Sequence, residues 1–430
     1  MKLTEFGYRY GGVSGTRQLM EDLGGALDGS SDVLMLGGGN PSHIPAVQAI
    51  FRERLGVVAA DAKLFAQVVG NYDSPQGQRE FVEALATLLK RHYGWPLTAR
   101  NIALTHGSQS AFFLLFNMFA GEGTDGAKRR ILLPMTPEYI GYTNVGLDDD
   151  ILVARRPTIE LLDGGLFKYH VNLRDLGVAE DIGAICVSRP TNPTGNVITD
   201  EEMSSLVALA ERHDLPLIVD GAYGTPFPQI IFTEARPVWN EHVVLCLSLS
   251  KLGLPGVRTG IVIAAEPIID AITGMNAIFH LATGSLGPTL ALEMVRSGDI
   301  LRISREIVNP FYRSKAMQAL EWIREALAGC NFHVHKAEGA FFLWLWFPGL
   351  PIGSAELYAC LKARGVIVLP GHHFFPGLRE PWSHREECIR VSYTQDDAVV
   401  HTGIMSIAEE IRRVMRSDVA APTSSQRRAV

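Results

Sequence analysis

Between about Asn101 and Ala265, short apolar runs alternate with stretches whose apolar residues recur at helical spacing. Ile102-Ala103-Leu104-Thr105, Ala184-Ile185-Cys186-Val187-Ser188, Leu217-Ile218-Val219 and Val243-Val244-Leu245-Cys246-Leu247 are nearly continuous in apolar character. Strands buried on both faces read this way. Thr199 and Glu202 form a capping-box pair, and Met203, Leu206, Val207 and Ala210 follow at i, i+3, i+4 and i+7. That spacing predicts a helix laid with one face on a sheet. The alternation as a whole predicts an α/β, doubly wound and mainly parallel sheet. A second α+β block begins near Pro310, with Phe341-Phe342-Leu343-Trp344-Leu345-Trp346 and Val366-Ile367-Val368-Leu369 as strands. It forms a smaller domain that the N-terminal segment completes. The expected division is 46–305 for the large domain, with 1–45 and 306–416 for the small one. The tail 417–430, rich in Ala, Ser and Arg, is expected to be disordered.

Composition narrows the class. A chain of 430 residues, 47% hydrophobic and 20% charged, is long enough for two domains and suits a soluble enzyme. The net charge of −7 has no basic stripe, which argues against nucleic acid. The short cluster Lys128-Arg129-Arg130 is read as a solvated loop. Five widely spaced cysteines, several in apolar runs, read as reduced thiols of a cytoplasmic protein. No Cys-x-x-Cys or His-x-x-x-His pattern occurs, so no metal site is expected; His333/His335 and His372/His373 read as strand or loop residues. Neither a signal peptide nor an apolar run of bilayer length is visible, so no membrane is expected.

The chemistry-bearing residues fall where strands end, the usual ligand edge of an α/β sheet. Lys251 follows the Val243–Leu247 run within Ser248-Leu249-Ser250-Lys251, ahead of a Gly/Pro-rich loop ending in Arg258. It is read as a Schiff-base lysine, or else as a surface lysine in a turn. Gly107-Ser108-Gln109-Ser110 precedes a strongly apolar helix whose free N–H groups would face an anion, although a serine there also serves as a plain N-cap. Pro190-Thr191-Asn192-Pro193 holds Asn192 between two prolines, aimed at a ligand or closing an Asx-turn. Asp220 closes the third strand in Asp220-Gly221-Ala222-Tyr223. A buried carboxylate there needs a partner, be it a cationic ligand, a salt bridge or a cap.

Together these pieces compose the site that pyridoxal 5′-phosphate requires. Lys251 would carry the aldehyde cofactor, and Asp220 would hold its pyridine nitrogen protonated. Ser108, Ser248 and Arg258 would bind its phosphate, with Gln109 and Ser250 counted among the cofactor contacts. Asn192 and Tyr223 would bond its phenolic oxygen, and Tyr139, in Pro137-Glu138-Tyr139, would stack on the ring. Tyr72 would reach a phosphate across a dimer interface.

Asn-Pro-Thr-Gly (192–195), Asp-x-x-Tyr (220–223) and Ser-x-Ser-Lys (248–251) with a downstream Arg occur in the order found in class I and II aminotransferases, and the chain resembles that family from about Leu36 to Tyr393. The resemblance implies fold type I, with a mainly parallel seven-stranded sheet in the large domain, and a homodimer with active sites at the interface. It also implies that Arg390 pairs with the substrate α-carboxylate, helped by backbone at Gly38-Gly39-Asn40-Pro41, as a bidentate guanidinium can. Met20-Glu21-Asp22-Leu23, Leu36-Gly37-Gly38-Gly39-Asn40-Pro41 and Pro137-Glu138-Tyr139-Ile140-Gly141-Tyr142 resemble a branch that exchanges valine or alanine with pyruvate or 2-oxoisovalerate. Gly221, where that branch suggests asparagine, and Ser74, where it suggests glycine, depart from it, as does the segment 280–287.

The expected reaction is therefore ping-pong transfer of an amino group through Lys251, with Lys251 as general base and acid. The same machinery also serves β- or γ-elimination, replacement or cyclisation, for example on S-adenosylmethionine. A ligand-sensing regulator is the remaining class. The roughly thirty residues ahead of Gly37 are too few for a helix-turn-helix module, and no basic recognition helix is visible.

Overall fold

The computed structural model describes residues 2–11, 24 and 33–419. Its larger sheet contains β1 (Ile102–Thr105), β2 (Lys128–Leu133), β3 (Leu152–Ala154), β4 (Ile182–Ser188), β5 (Leu217–Asp220), β6 (Val243–Ser248) and β7 (Gly260–Ile263). They lie in the order β1-β7-β6-β5-β4-β2-β3. Strand β7 runs antiparallel to both its neighbours, and every other pair in that order is parallel. This is the expected seven-stranded, mainly parallel sheet. A two-residue strand, Gly121–Glu122, folds back antiparallel on the start of β2 and makes an eighth. Strands β1, β5, β6 and β7 are buried along their whole length, which is why their sequences lack an alternating polar face.

Helix α1 (Ser108–Phe119) leaves β1, and α2 (Asp200–His213) leads into β5. The capping box of α2 forms as predicted: Glu202 N donates to Thr199 Oγ1 at 3.1 Å, and Thr199 N to Glu202 Oε2 at 2.8 Å. Such a cap is worth about 1 kcal/mol. Lys128, Arg129 and Arg130 do not lie in a loop. They are the first half of β2, where they remain exposed or half-buried. Salt bridges from Arg129 to Asp125 (2.7 Å) and from Arg130 to Asp181 (2.5 Å) let basic residues occupy this strand.

A second sheet has six strands in the order Leu369–Pro370, Cys388–Ser392, Phe342–Trp346, His333–His335, Leu166–His170 and Thr158–Leu162. Its last two strands form a hairpin that the chain inserts between β3 and β4, so the middle of the sequence reaches into a sheet built mainly from its C-terminal part. The strand expected at 366–369 is divided. Val366–Ile367 pair in parallel with Leu34–Met35, whereas Leu369–Pro370 pair with Cys388–Ser392, because the chain changes partner at Val368.

The final helix, Asp397–Val419, runs into the stretch expected to be disordered, and the remainder of that stretch lies outside the described residues, as does Met20-Glu21-Asp22-Leu23. Among the described residues no helix is long and apolar enough to cross a membrane.

Candidate active site

Because β1, β2, β4, β5 and β6 are parallel to one another, their C-terminal ends lie on one edge, which gathers Ser108, Tyr139, Asn192, Asp220 and Lys251. Lys251 sits in the 3₁₀ turn Ser250–Leu252 directly after β6. Its Nζ donates to the Gly39 carbonyl at 2.7 Å and lies 5.3 Å and 5.2 Å from the ring centres of Tyr223 and Phe341. Burial, with repulsion from Arg390 and Arg258, pulls the amine down to about 7. A neutral amine is therefore present at neutral pH.

Asp220 is buried at the end of β5. Its Oδ1 accepts from Ala222 N at 2.9 Å and its Oδ2 from Tyr142 Oη at 2.9 Å. Burial raises its pKa, and the attraction of Lys251 works against that rise. Arg390, also buried, donates from Nη1 to Asn192 Oδ1 at 2.6 Å and from Nη2 to the Gly37 carbonyl at 2.7 Å. Its guanidinium carbon stands 3.9 Å from the centre of the Phe342 ring. Burial pushes this arginine down to about 10, and its Nε has no acceptor among the described residues. A guanidinium in the interior, held by neutral oxygens alone, is suited to an incoming carboxylate.

Arg258 adopts a left-handed backbone (φ 50°) and donates to Ser250 Oγ at 3.3 Å and to the Pro255 carbonyl at 3.2 Å. It packs on the start of α1 so closely that a Cβ on Gly107 (φ +84°) would lie 2.2 Å from its Nη2. Glycine is needed there both for the positive φ and for the space. Ser248 Oγ is buried and turned inward, donating to the Thr259 carbonyl at 3.4 Å and accepting from Ser250 N at 3.0 Å. Gln109 is exposed and donates to the Gly141 carbonyl at 2.9 Å. Tyr139 is half-buried and edge-on to Tyr142, with ring centres 5.3 Å apart. Tyr223 is buried against Phe341 at 4.9 Å. Tyr72 is not brought into the cluster: it is 82% exposed and makes no ring contact or hydrogen bond with these residues.

The departures from the expected motifs have local explanations. A Cβ on Gly221 would lie 3.0 Å from Leu247 Cδ2 and 3.2 Å from the Cys246 carbonyl, so the space behind the strand end is already filled. Ser74 closes a turn by donating to the Gly77 carbonyl at 3.0 Å. Segment 280–287 packs beside the cluster, with the His280 ring 4.4 Å from that of His106, next to Gly107. Sequence reasoning did not assign Glu138, Tyr142, Ser188, Gly37 or Phe342 to the site. The first three touch one another behind Asp220, and the last two embrace Arg390.

This sheet edge, with a buried lysine, a buried aspartate and two arginines lacking ion-pair partners among the described residues, defines an enzyme of fold type I that works on small anionic substrates. The chain belongs to the class I and II aminotransferases: the model of the family described as aminotransferase class I and II matches residues 32–407. It is 51% identical to the valine–pyruvate aminotransferase of Escherichia coli (strain K12), over 96% of this chain and 99% of that protein. The structure of valine–pyruvate aminotransferase from Salmonella typhimurium LT2 superposes with a TM-score of 0.86 at 50% identity, over 94% of this chain and 100% of the other. A solved structure from Psychrobacter arcticum 273-4 superposes with a TM-score of 0.93 at 44% identity, over 97% of this chain and 99% of the other.

Class I and II aminotransferases of this fold use pyridoxal 5′-phosphate. The residues present fit that group. An amine is held near neutrality, a carboxylate closes a buried strand, and a side-chain-free glycine opens a helix beside an arginine.

Proposed function

We propose that the enzyme transfers the amino group of L-valine or L-alanine to pyruvate or 2-oxoisovalerate, in two half-reactions sharing one site. The geometric observation that carries this reading is Arg390, a buried guanidinium without a carboxylate partner among the described residues, beside the amine of Lys251. The choice of amino acid rests on the likeness to the valine–pyruvate aminotransferases. Pyridoxal 5′-phosphate, when bound, supplies the electron sink for the pair released at the substrate Cα.

Lys251 would hold the cofactor and supply the amine that takes the Cα proton and returns it; its lowered pKa supports that part. Asp220 would face the ring nitrogen, and Asn192 and Tyr223 the phenolic oxygen. Tyr139 would cover the ring. Arg258, Ser108, Gln109, Ser248 and Ser250 would surround the phosphate, with Tyr72 of a second copy completing it. Arg390 and the backbone at Gly39 would fix the substrate carboxylate. The exposed Phe65, Val69 and Tyr72 support a homodimer that covers this face. A cytoplasmic setting, and domains of 46–305 against 1–45 with 306–416, complete the proposal.

The test is to supply the enzyme with L-valine and pyruvate. Alanine and 2-oxoisovalerate formed in equal amounts support the reading. No amino transfer, with release of a γ-leaving group from S-adenosylmethionine instead, would assign the elimination or replacement chemistry.

A further inference from the structure

Three side chains lie in line behind Asp220. Tyr142 Oη donates to Asp220 Oδ2 at 2.9 Å, Ser188 Oγ lies 3.2 Å from Tyr142 Oη, and Glu138 Oε2 lies 2.5 Å from Ser188 Oγ. Glu138 Oε1 accepts from Ser188 N at 2.8 Å, and Tyr139 N reaches Oε2 at 3.3 Å. All four side chains are buried, and Glu138 has no ion-pair partner among the described residues.

Counting protons gives the chain a direction. A phenol has one hydrogen, and Tyr142 spends it on Asp220 when that carboxylate is ionised. Its oxygen can then only accept, and the Ser188 hydroxyl, 3.2 Å away, is the donor within its reach. The Ser188 oxygen in turn is left as an acceptor, and the group 2.5 Å away that can supply a hydrogen is the carboxyl of Glu138.

We infer that Glu138 is a neutral acid that starts a directed hydrogen-bond chain through Ser188 and Tyr142, and that this chain keeps the negative charge on Asp220. Glu138, Ser188 and Tyr142 are thus positioning residues for the ring-nitrogen contact, and the inference rests on the proposed pairing of Asp220 with that nitrogen. Burial, which drives Glu138 up to about 8 with the Asp220 charge adding to it, acts in the same sense. The other groups facing the cluster also favour one charge at Asp220. Lys251 attracts it, Arg390 and Arg258 add positive charge on the Tyr139 side, and the buried thiols of Cys186 and Cys246 are pushed far up. With the chain reversed, the charge would sit on Glu138, where no cation balances it.

Glu138→Gln separates the two directions, because an amide can donate to Ser188 Oγ and accept from Ser188 N but cannot carry the charge. Full-length apo-protein is titrated with pyridoxal 5′-phosphate. Glu138→Gln should bind as the wild type does, whereas Tyr142→Phe should bind about tenfold more weakly, the cost of leaving one buried carboxylate oxygen without a donor. The infrared spectrum of the wild type at neutral pH should show a protonated-carboxyl band that Glu138→Gln lacks, a readout independent of turnover. Loss of affinity in Glu138→Gln comparable to that of Tyr142→Phe, or absence of the band, overturns the inference. Asp220→Asn indistinguishable from wild type in both affinity and turnover would instead overturn the ring-nitrogen reading beneath it.

Discussion

The guanidinium of Arg390 and the side-chain amide of Asn192, 198 residues apart in the chain, meet at 2.6 Å. Asn192 presents its carbonyl oxygen to the arginine, which leaves its NH₂ free of that contact. One amide thereby fixes the orientation of the buried guanidinium, together with the Gly37 carbonyl. Replacing Arg390 by lysine removes the fork that serves Asn192 and Gly37 together. The expected effect of Arg390→Lys is a fall in kcat/KM for both amino acid and oxo acid of about tenfold to a hundredfold, equivalent to roughly 1.5–3 kcal/mol. Steady-state kinetics with each substrate varied in turn will measure it.

Lys251→Ala should reduce alanine formation from valine and pyruvate by about 10²–10⁴-fold, the range general acid–base groups contribute. Arg258 and the start of α1 remain intact in that variant, so pyridoxal phosphate should still co-elute with the protein. Borohydride should no longer fix it to the chain, which mass spectrometry of the intact protein reports.

Gly107→Ala would place a methyl group 2.2 Å from Arg258 Nη2 on a backbone at φ +84°. The variant should lose roughly 1–2 kcal/mol of stability from the backbone alone. Displacement of the arginine should also raise the dissociation constant for pyridoxal phosphate, and urea unfolding and cofactor titration measure the two effects separately.

Glu138 makes stability depend on pH. Its folded pKa, about 8, lies above the unfolded 4.5, so the folded chain holds a proton that the unfolded chain has released. The stabilisation is complete below about 4.5 and is lost as pH rises toward 8, with a slope of about 1.4 kcal/mol per unit. Glu138→Gln has no such proton, so its stability relative to the wild type should climb between pH 5 and pH 8. Denaturant titrations at several pH values test this.

What could be read from the sequence was local. Buried strands announced themselves as unbroken apolar runs, and the few residues after each run pointed to Asp220, Asn192 and Lys251. The capping box of α2 likewise needs only four consecutive residues. What could not be read depends on contacts between distant segments. Glu138 lies in a quoted motif beside Tyr139, but its meaning comes from Ser188, 50 residues on, and from Tyr142 reaching Asp220 across 78. The basic start of β2 was hidden because its salt-bridge partner Asp181 stands just ahead of a different strand. Hairpin 158–170 carried no signal of its destination, since its pairing partner, His333–His335, is set by the tertiary fold.

That hairpin has a mechanical consequence. Lys168, within it, forms a buried ion pair with Glu338, while Ala340 N donates to the Ile230 carbonyl at 2.9 Å, on the segment after β5. The stretch between them leads directly to Phe341 and Phe342, the aromatic walls beside Lys251 and Arg390. This wall is therefore fastened just ahead of Phe341 both to the hairpin and to the segment after β5, like a beam clamped at its root. A pocket bounded by such a beam is retuned through the bulk of the side chains it bears, because the backbone beneath them has little travel.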